Sequence, residues 1–132
     1  MAKFKYSMQN ILEIKMKLET QAKNEFSIAN RKYQTEKDRL DELVLKRVGY
    51  ETRLKESLCG ELNIRDINNL KKDINSIKSA IRTQLSNVKK AEDELEIKRY
   101  ALNELMKERK THEKLREKKF DEFQKEERDN ES

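Results

Sequence analysis

Apolar residues recur along this chain with a period of about 3.6, the signature of helix rather than strand. In the first half a three-four spacing picks out Phe4, Met8, Ile11, Lys15, Leu18 and Ala22, then Phe26, Ala29, Tyr33, Glu36, Leu40, Leu43, Arg47, Tyr50 and Leu54. Only Lys15, Glu36 and Arg47 are charged in that series. The step 18–22–26 has two successive spacings of four, which reads as a stutter that unwinds a supercoil locally. The second half gives an unbroken heptad series from Ile67 through Leu70, Ile74, Ile77, Ile81, Gln84, Val88, Ala91, Leu95, Lys98, Leu102 and Leu105. It continues through Arg109, His112, Arg116 and Lys119, all polar, to Phe123. Heptads sustained this long predict coiled coil.

Between the two series lies the stretch from Ser57 to Asn63, with Gly60 suited to a left-handed helix C-terminus and Asn63 to an N-cap. A short connection between long helices predicts an all-α fold, a long antiparallel two-helix coiled-coil hairpin. The expected organisation is a single coiled-coil domain over 1–132. Helix one covers about 3–58, the turn about 59–63 and helix two about 64–126, with a disordered acidic tail to 132. Folding at Gly60 pairs seam residues whose numbers add to about 123, as in an antiparallel seam. Tyr33 then lies near Ala91 and Leu18 near Leu105, while Lys15 and Arg109 meet as like charges and weaken the end carrying both termini. Gly49 sits inside helix one, where it costs about 1 kcal/mol relative to Ala.

Composition narrows the function. Charged residues make up 43% of the chain and hydrophobic ones 34%, too few to fill a three-dimensional core. The longest apolar run, Leu43-Val44-Leu45, excludes a membrane span. Two Gly exclude phosphate-cradling loops, and one Cys with one His excludes a metal cluster or disulfide framework. Cys59 reads as an incidental thiol, and His112 lies between Arg109 and Arg116, poor company for a metal ligand or base. The Glu92-Asp93-Glu94 run points in different directions on a helix. No nucleophile, base and orienting group can be assembled, so the chain is expected not to be an enzyme, to need no cofactor and to take no small-molecule substrate.

The net charge of +5 is mixed, not blocked. Acid–base pairs at helical spacing, such as Glu19 with Lys23, support helix by about 0.2–0.5 kcal/mol each. Bases concentrate over 107–119 and acids over 120–132. The basic stretch is either an ordinary helix end or a surface for an acidic partner. Tyr33 and Tyr50 fall on the seam, whereas Tyr6 and Tyr100 fall off it and are expected to face partners. No platform interleaves aromatics with bases, which argues against nucleic acid.

Three patterns taken in order carry a resemblance. They are Phe4-x-Tyr6-x-Met8-x-x-Ile11-Leu12-x-Ile14-Lys15 with Glu19-x-x-Ala22-Lys23, then Ile74-x-x-Ile77-x-x-Ala80-Ile81-x-x-Gln84-x-x-x-Val88, then Lys107-Glu108-Arg109-Lys110-x-x-Glu113-Lys114-Leu115. Together they cover nearly the whole chain, which resembles the FliJ family of coiled-coil proteins from the bacterial flagellar type III export apparatus. The resemblance implies a hairpin similar to the stalk of rotary ATPases, binding the hexameric export ATPase, the cytoplasmic domain of the export gate and export chaperones. It implies a cytoplasmic protein that meets the inner face of the membrane only peripherally, through those partners. By the same resemblance, Phe4, Met8, Ile11, Lys107, Arg109, Lys110, Lys114 and Arg116 would contact the ATPase ring. Leu43, Tyr50, Ile77, Ala80 and Gln84 would contact the gate, although Asp73 stands where the family often has an aromatic. The alternatives are a stalk of a virulence-type secretion system, a generic coiled-coil scaffold and a basic hairpin that binds nucleic acid.

Overall fold

A computed structural model of the chain describes residues 3–61 and 63–131. Leu62, in the expected turn, and Ser132, at the end of the expected tail, lie outside the described residues. Two helices form the fold: α1, Gln9–Cys59, and α2, Ile64–Glu131. No strand occurs among the described residues. The helices pack against each other as an antiparallel coiled-coil hairpin, since partners on α2 fall in number as those on α1 rise.

The helix bounds differ from the sequence expectation at both chain ends. Residues 3–8 are not helical; α1 begins after a turn in which the Gln9 amide donates to the Tyr6 carbonyl at 3.0 Å. At the other end α2 runs on to Glu131 where a disordered acidic tail is expected from about 127. Phe123 and Glu127 remain half-buried there, and Phe4 supplies aromatic contacts that the second helix does not have by itself.

Contacts group the chain into two compact units. One unit is Ala29–Leu95. Its seam is the expected one: Ala29, Ile67, Ile74, Ile77, Ile81, Gln84, Ala91 and Leu95 are buried, with Tyr33, Leu40, Leu43, Tyr50 and Leu54 half-buried. The polar seam residue Gln84 is only 7% exposed. Its amide nitrogen donates to the Glu36 carbonyl at 2.8 Å and to the Glu36 carboxylate, and Asn87 donates to its oxygen at 3.2 Å. A buried polar layer satisfied in this way fits one register only, because sliding the helices would strand its amide.

The turn uses one of its two expected caps. Asn63 caps α2, its side-chain oxygen accepting from the amides of Arg65 at 3.1 Å and Asp66 at 3.3 Å. Gly60, in contrast, does not adopt the left-handed conformation that a C-cap glycine uses. Helix α1 simply ends at Cys59, and a side-chain carbon at Gly60 would meet only the Glu56 carbonyl, at 3.9 Å. At Gly49 such a carbon would meet nothing.

The other unit comprises residues up to Ile28 and from Glu96 onward. Here the expected seam is wrong on α1. Leu12 and Glu19 are buried, at 4% and 3% exposure, while Ile11 and Leu18 are each 42% exposed. The heptad explains this. The buried and half-buried positions 12, 15, 19, 22, 26, 29, 33 and 36 alternate steps of three and four without interruption, so the stutter at 18–22–26 does not occur. A supercoil keeps its seam in phase, and that phase brings Glu19 inside.

Three outcomes are expected in thermal denaturation followed by circular dichroism. Gly49→Ala raises stability by about 1 kcal/mol. Gly60→Ala, where no left-handed backbone is at stake, changes it little. Asn63→Ala lowers it by about 1 kcal/mol through loss of the cap.

Candidate partner interface

The eight residues expected to meet an ATPase ring all belong to the unit that carries both chain ends. What each can offer follows from what already holds it.

Phe4 is an anchor. Its ring packs edge-on against Phe120, with centroids 5.0 Å apart at 71°, and tilted against Phe123 at 5.6 Å. The Arg116 guanidinium lies 5.7 Å from the Phe4 centroid on its face, and Arg116 also donates to the Gln9 side chain at 3.0 Å. Edge-to-face pairs contribute about 0.5–1.5 kcal/mol beyond the area they bury, enough to lay the segment before α1 against the end of α2. Tyr6, expected to face a partner, is instead buried at 9% exposure, because the chain before α1 folds back onto α2 rather than extending the helix. Met8 is half-buried.

Arg109 does not oppose Lys15. Antiparallel packing offers each of them a carboxylate. Lys15 meets Glu108 at 2.7 Å, and Arg109 pairs with buried Glu19 and, at 3.0 Å, with Glu113. Lys98 similarly reaches Glu25 at 3.4 Å. Burial pushes the Glu19 carboxyl up, but the hydrogen bond and charge of Arg109, with help from Lys23 at 3.5 Å, outweigh it and hold Glu19 below its ordinary value. The hydrogen bonds from Arg109 to Glu19 and Glu113 raise the Arg109 value in return. The expected weak point of like charges is thus a cross-helix ion-pair network.

The basic cluster therefore divides. Arg109 and Arg116 turn back onto α1. Lys107, Lys110 and Lys114 are exposed, and their spacing of three and four places them on one outward stripe of α2. Lys107 meets Glu104 of its own helix at 3.4 Å. Ile11 stands exposed on α1, in line with Ile14 at 56% and Leu18 at 42%. The free surface of this unit is accordingly a lysine stripe on one helix and an aliphatic stripe on the other. Periodicity gives Glu19 only as the neighbour of Lys23 on its own helix, and it gives Gln9 and Glu108 no cross-helix contact at all. Carrying the heptad phase backward from Ala29 would have found Glu19; Gln9 and Glu108 are exposed or flanking positions with no such signal.

The five residues expected to meet the export gate lie in the other unit, four of them on its seam and Ala80 beside it. Ile77 and Gln84 are buried, at 8% and 7% exposure, and Leu43, Tyr50 and Ala80 are half-buried. Gln84 is further committed to Glu36. Tyr100, expected to face a partner, is 68% exposed. No described helix is long and apolar enough to cross a membrane.

The lowered Glu19 value sets a sign. A carboxyl held low in the folded state contributes stability that is full above the ordinary carboxylate range and is lost as pH falls through its own lowered value. Glu19→Gln is therefore expected to lower the melting temperature at neutral pH and to shrink the further loss on acidification. Melting curves over an acid pH series check this; an acid limb as steep as the parent's would show that Glu19 is not responsible for it.

No curated protein and no solved structure matches the chain. The sequence profile of one family, described as the flagellar FliJ protein, matches residues 4–132. With that match covering nearly the full length, and with a helical hairpin as its fold, the chain belongs to the FliJ family of flagellar proteins.

Proposed function

We propose that this protein is a non-enzymatic stalk in the hexameric ATPase ring of the flagellar protein export apparatus, linking that ring to the export gate and to substrate chaperones. The observation that carries the reading is the outward stripe of Lys107, Lys110 and Lys114 on the unit that holds both chain ends. These lysines are not needed to hold the two helices together, so their charge is available to an acidic rim. Ile11, exposed on α1 of the same unit, offers apolar area to the same partner.

The mechanism is mechanical. One rod in a six-fold ring cannot contact every subunit alike, so its presence biases ring assembly and the order of hydrolysis. The protein works in the cytoplasm, drawn to the inner face of the membrane through the gate. Contact with the gate runs through Leu43, Tyr50 and Ala80, the less buried of the five residues the family resemblance points to. Ile77 and Gln84 support them from within the seam.

The test is a pair of charge reversals, read by binding to the cognate export ATPase and by its hydrolysis rate. Lys107→Glu, Lys110→Glu and Lys114→Glu together are expected to abolish binding and stimulation while helicity stays intact. Arg109→Glu is expected to lower the melting temperature as well, because it places a second carboxylate against Glu19. Undiminished binding by the triple lysine variant would remove the stripe from the ring contact.

A further inference from the structure

The N-terminal part of α1 carries two seams that share an edge. Met8, Lys15 and Ala22 belong to both. On one side of that line stand Leu12 and Glu19, which the structure buries; on the other stand Ile11 and Leu18, each 42% exposed. Neighbouring residues on a helix lie about 100° apart, so a rotation of no more than about 100° about the axis of α1 exchanges the two sets.

The two packings are balanced by opposite costs. The observed one keeps the heptad in phase but puts a carboxylate in the interface, where a buried ion pair is close to break-even against apolar packing. The alternative buries one more large aliphatic side chain, Ile11 and Leu18 in place of Leu12, and releases Glu19 to water. Its cost is the stutter at 18–22–26, which unwinds the supercoil locally. Arg109 is suited to select between them. It holds Glu19 in the observed packing, yet keeps a carboxylate at 3.0 Å, Glu113 of its own helix, when Glu19 leaves. Lys23, 60% exposed and one turn from Glu19, accompanies it outward. The observed packing is also imperfectly satisfied. The Tyr6 hydroxyl and the Nδ1 of His112, both in this unit, are buried without a hydrogen-bond partner among the described residues.

We propose that the segment from Met8 to Ala22 has two rotational packings on α2, and that the Glu19–Arg109 pair is the latch. Closed, it presents Ile11, Ile14 and Leu18 to solvent; open, it takes Ile11 and Leu18 into the seam and turns Glu19 out. An acidic group that draws Arg109 away would thereby withdraw an aliphatic surface from the same unit. This inference does not depend on the stalk reading.

Thiol accessibility reads the rotation directly. In a Cys59→Ser background, Ile11→Cys, Leu18→Cys, Leu12→Cys and Ala22→Cys are made singly, and labelling rates with Ellman's reagent are measured in the full chain. With the latch intact, thiols at 11 and 18 react fast and those at 12 and 22 slowly. Adding Arg109→Met is expected to invert the order of 11 and 18 against 12, by about tenfold or more, because an unpaired buried charge costs more than a tenfold equilibrium shift. The thiol at 22, on the shared line, stays slow, and circular dichroism is unchanged. Adding Glu19→Leu to Arg109→Met is expected to restore the first order, since an apolar side chain at 19 needs no latch. An unchanged order in Arg109→Met would overturn the proposal. So would loss of protection at 22 or of helicity, which is melting rather than rotation, or an inverted order that persists with Glu19→Leu.

Discussion

Supercoil phase is the constraint from which the rest of this structure follows. Two helices that stay in contact over many turns must present a residue to each other every three and four positions, whatever that residue is. In the Ala29–Leu95 unit the phase falls on aliphatic side chains and the hairpin closes on Ile67, Ile74, Ile77 and Ile81. Continued toward the N-terminus, the same phase falls on Glu19, and the interface there becomes an ion pair instead of a hydrophobic contact. Locally richer apolar positions, Ile11 and Leu18, lose to continuity.

Because so little of the chain is apolar, polar contacts do much of the specifying. Gln84 with Glu36, Glu25 with Lys98, Glu19 with Arg109 and Lys15 with Glu108 are spaced along the hairpin, each joining one helix to the other. The exposed ones contribute little stability, about 0–1 kcal/mol each. Their effect is on which pairing is allowed. An aliphatic seam alone tolerates sliding by a heptad, whereas sliding this one would bring Gln84 away from the Glu36 carbonyl and Arg109 away from Glu19.

Much of this was readable from residue order. The helical hairpin, the cap at Asn63, and the seam from Ala22 to Leu54 and from Ile67 to Leu105 all follow from periodicity and turn chemistry. What was not readable has two physical causes. Between Met8 and Ala22 hydrophobicity and phase point to different residues, and hydrophobicity alone puts Ile11 and Leu18 inside. Pairing by residue number sets Lys15 against Arg109, although long side chains reach one turn up or down, so Lys15 meets Glu108 and Arg109 meets Glu19. The aromatic cluster at the chain ends gives no local signal in either half of the chain. Phe4, Phe120 and Phe123 are far apart in sequence and only the antiparallel fold brings them together. In the candidate interface, composition located the basic stretch but not its division into inward arginines and outward lysines.

That aromatic cluster has a consequence for how the protein comes off the ribosome. Residues 29–95 form one compact unit from a continuous stretch of sequence, so their pairing can begin while the chain is still growing. Phe4, Gln9 and Glu19 wait for Phe120, Arg116 and Arg109, which lie far along the chain from them. Until those residues are made, the first turns of α1 have no second helix to lie on. Local pairing around the bend can thus precede the pairing of the first turns of α1, which needs residues made much later.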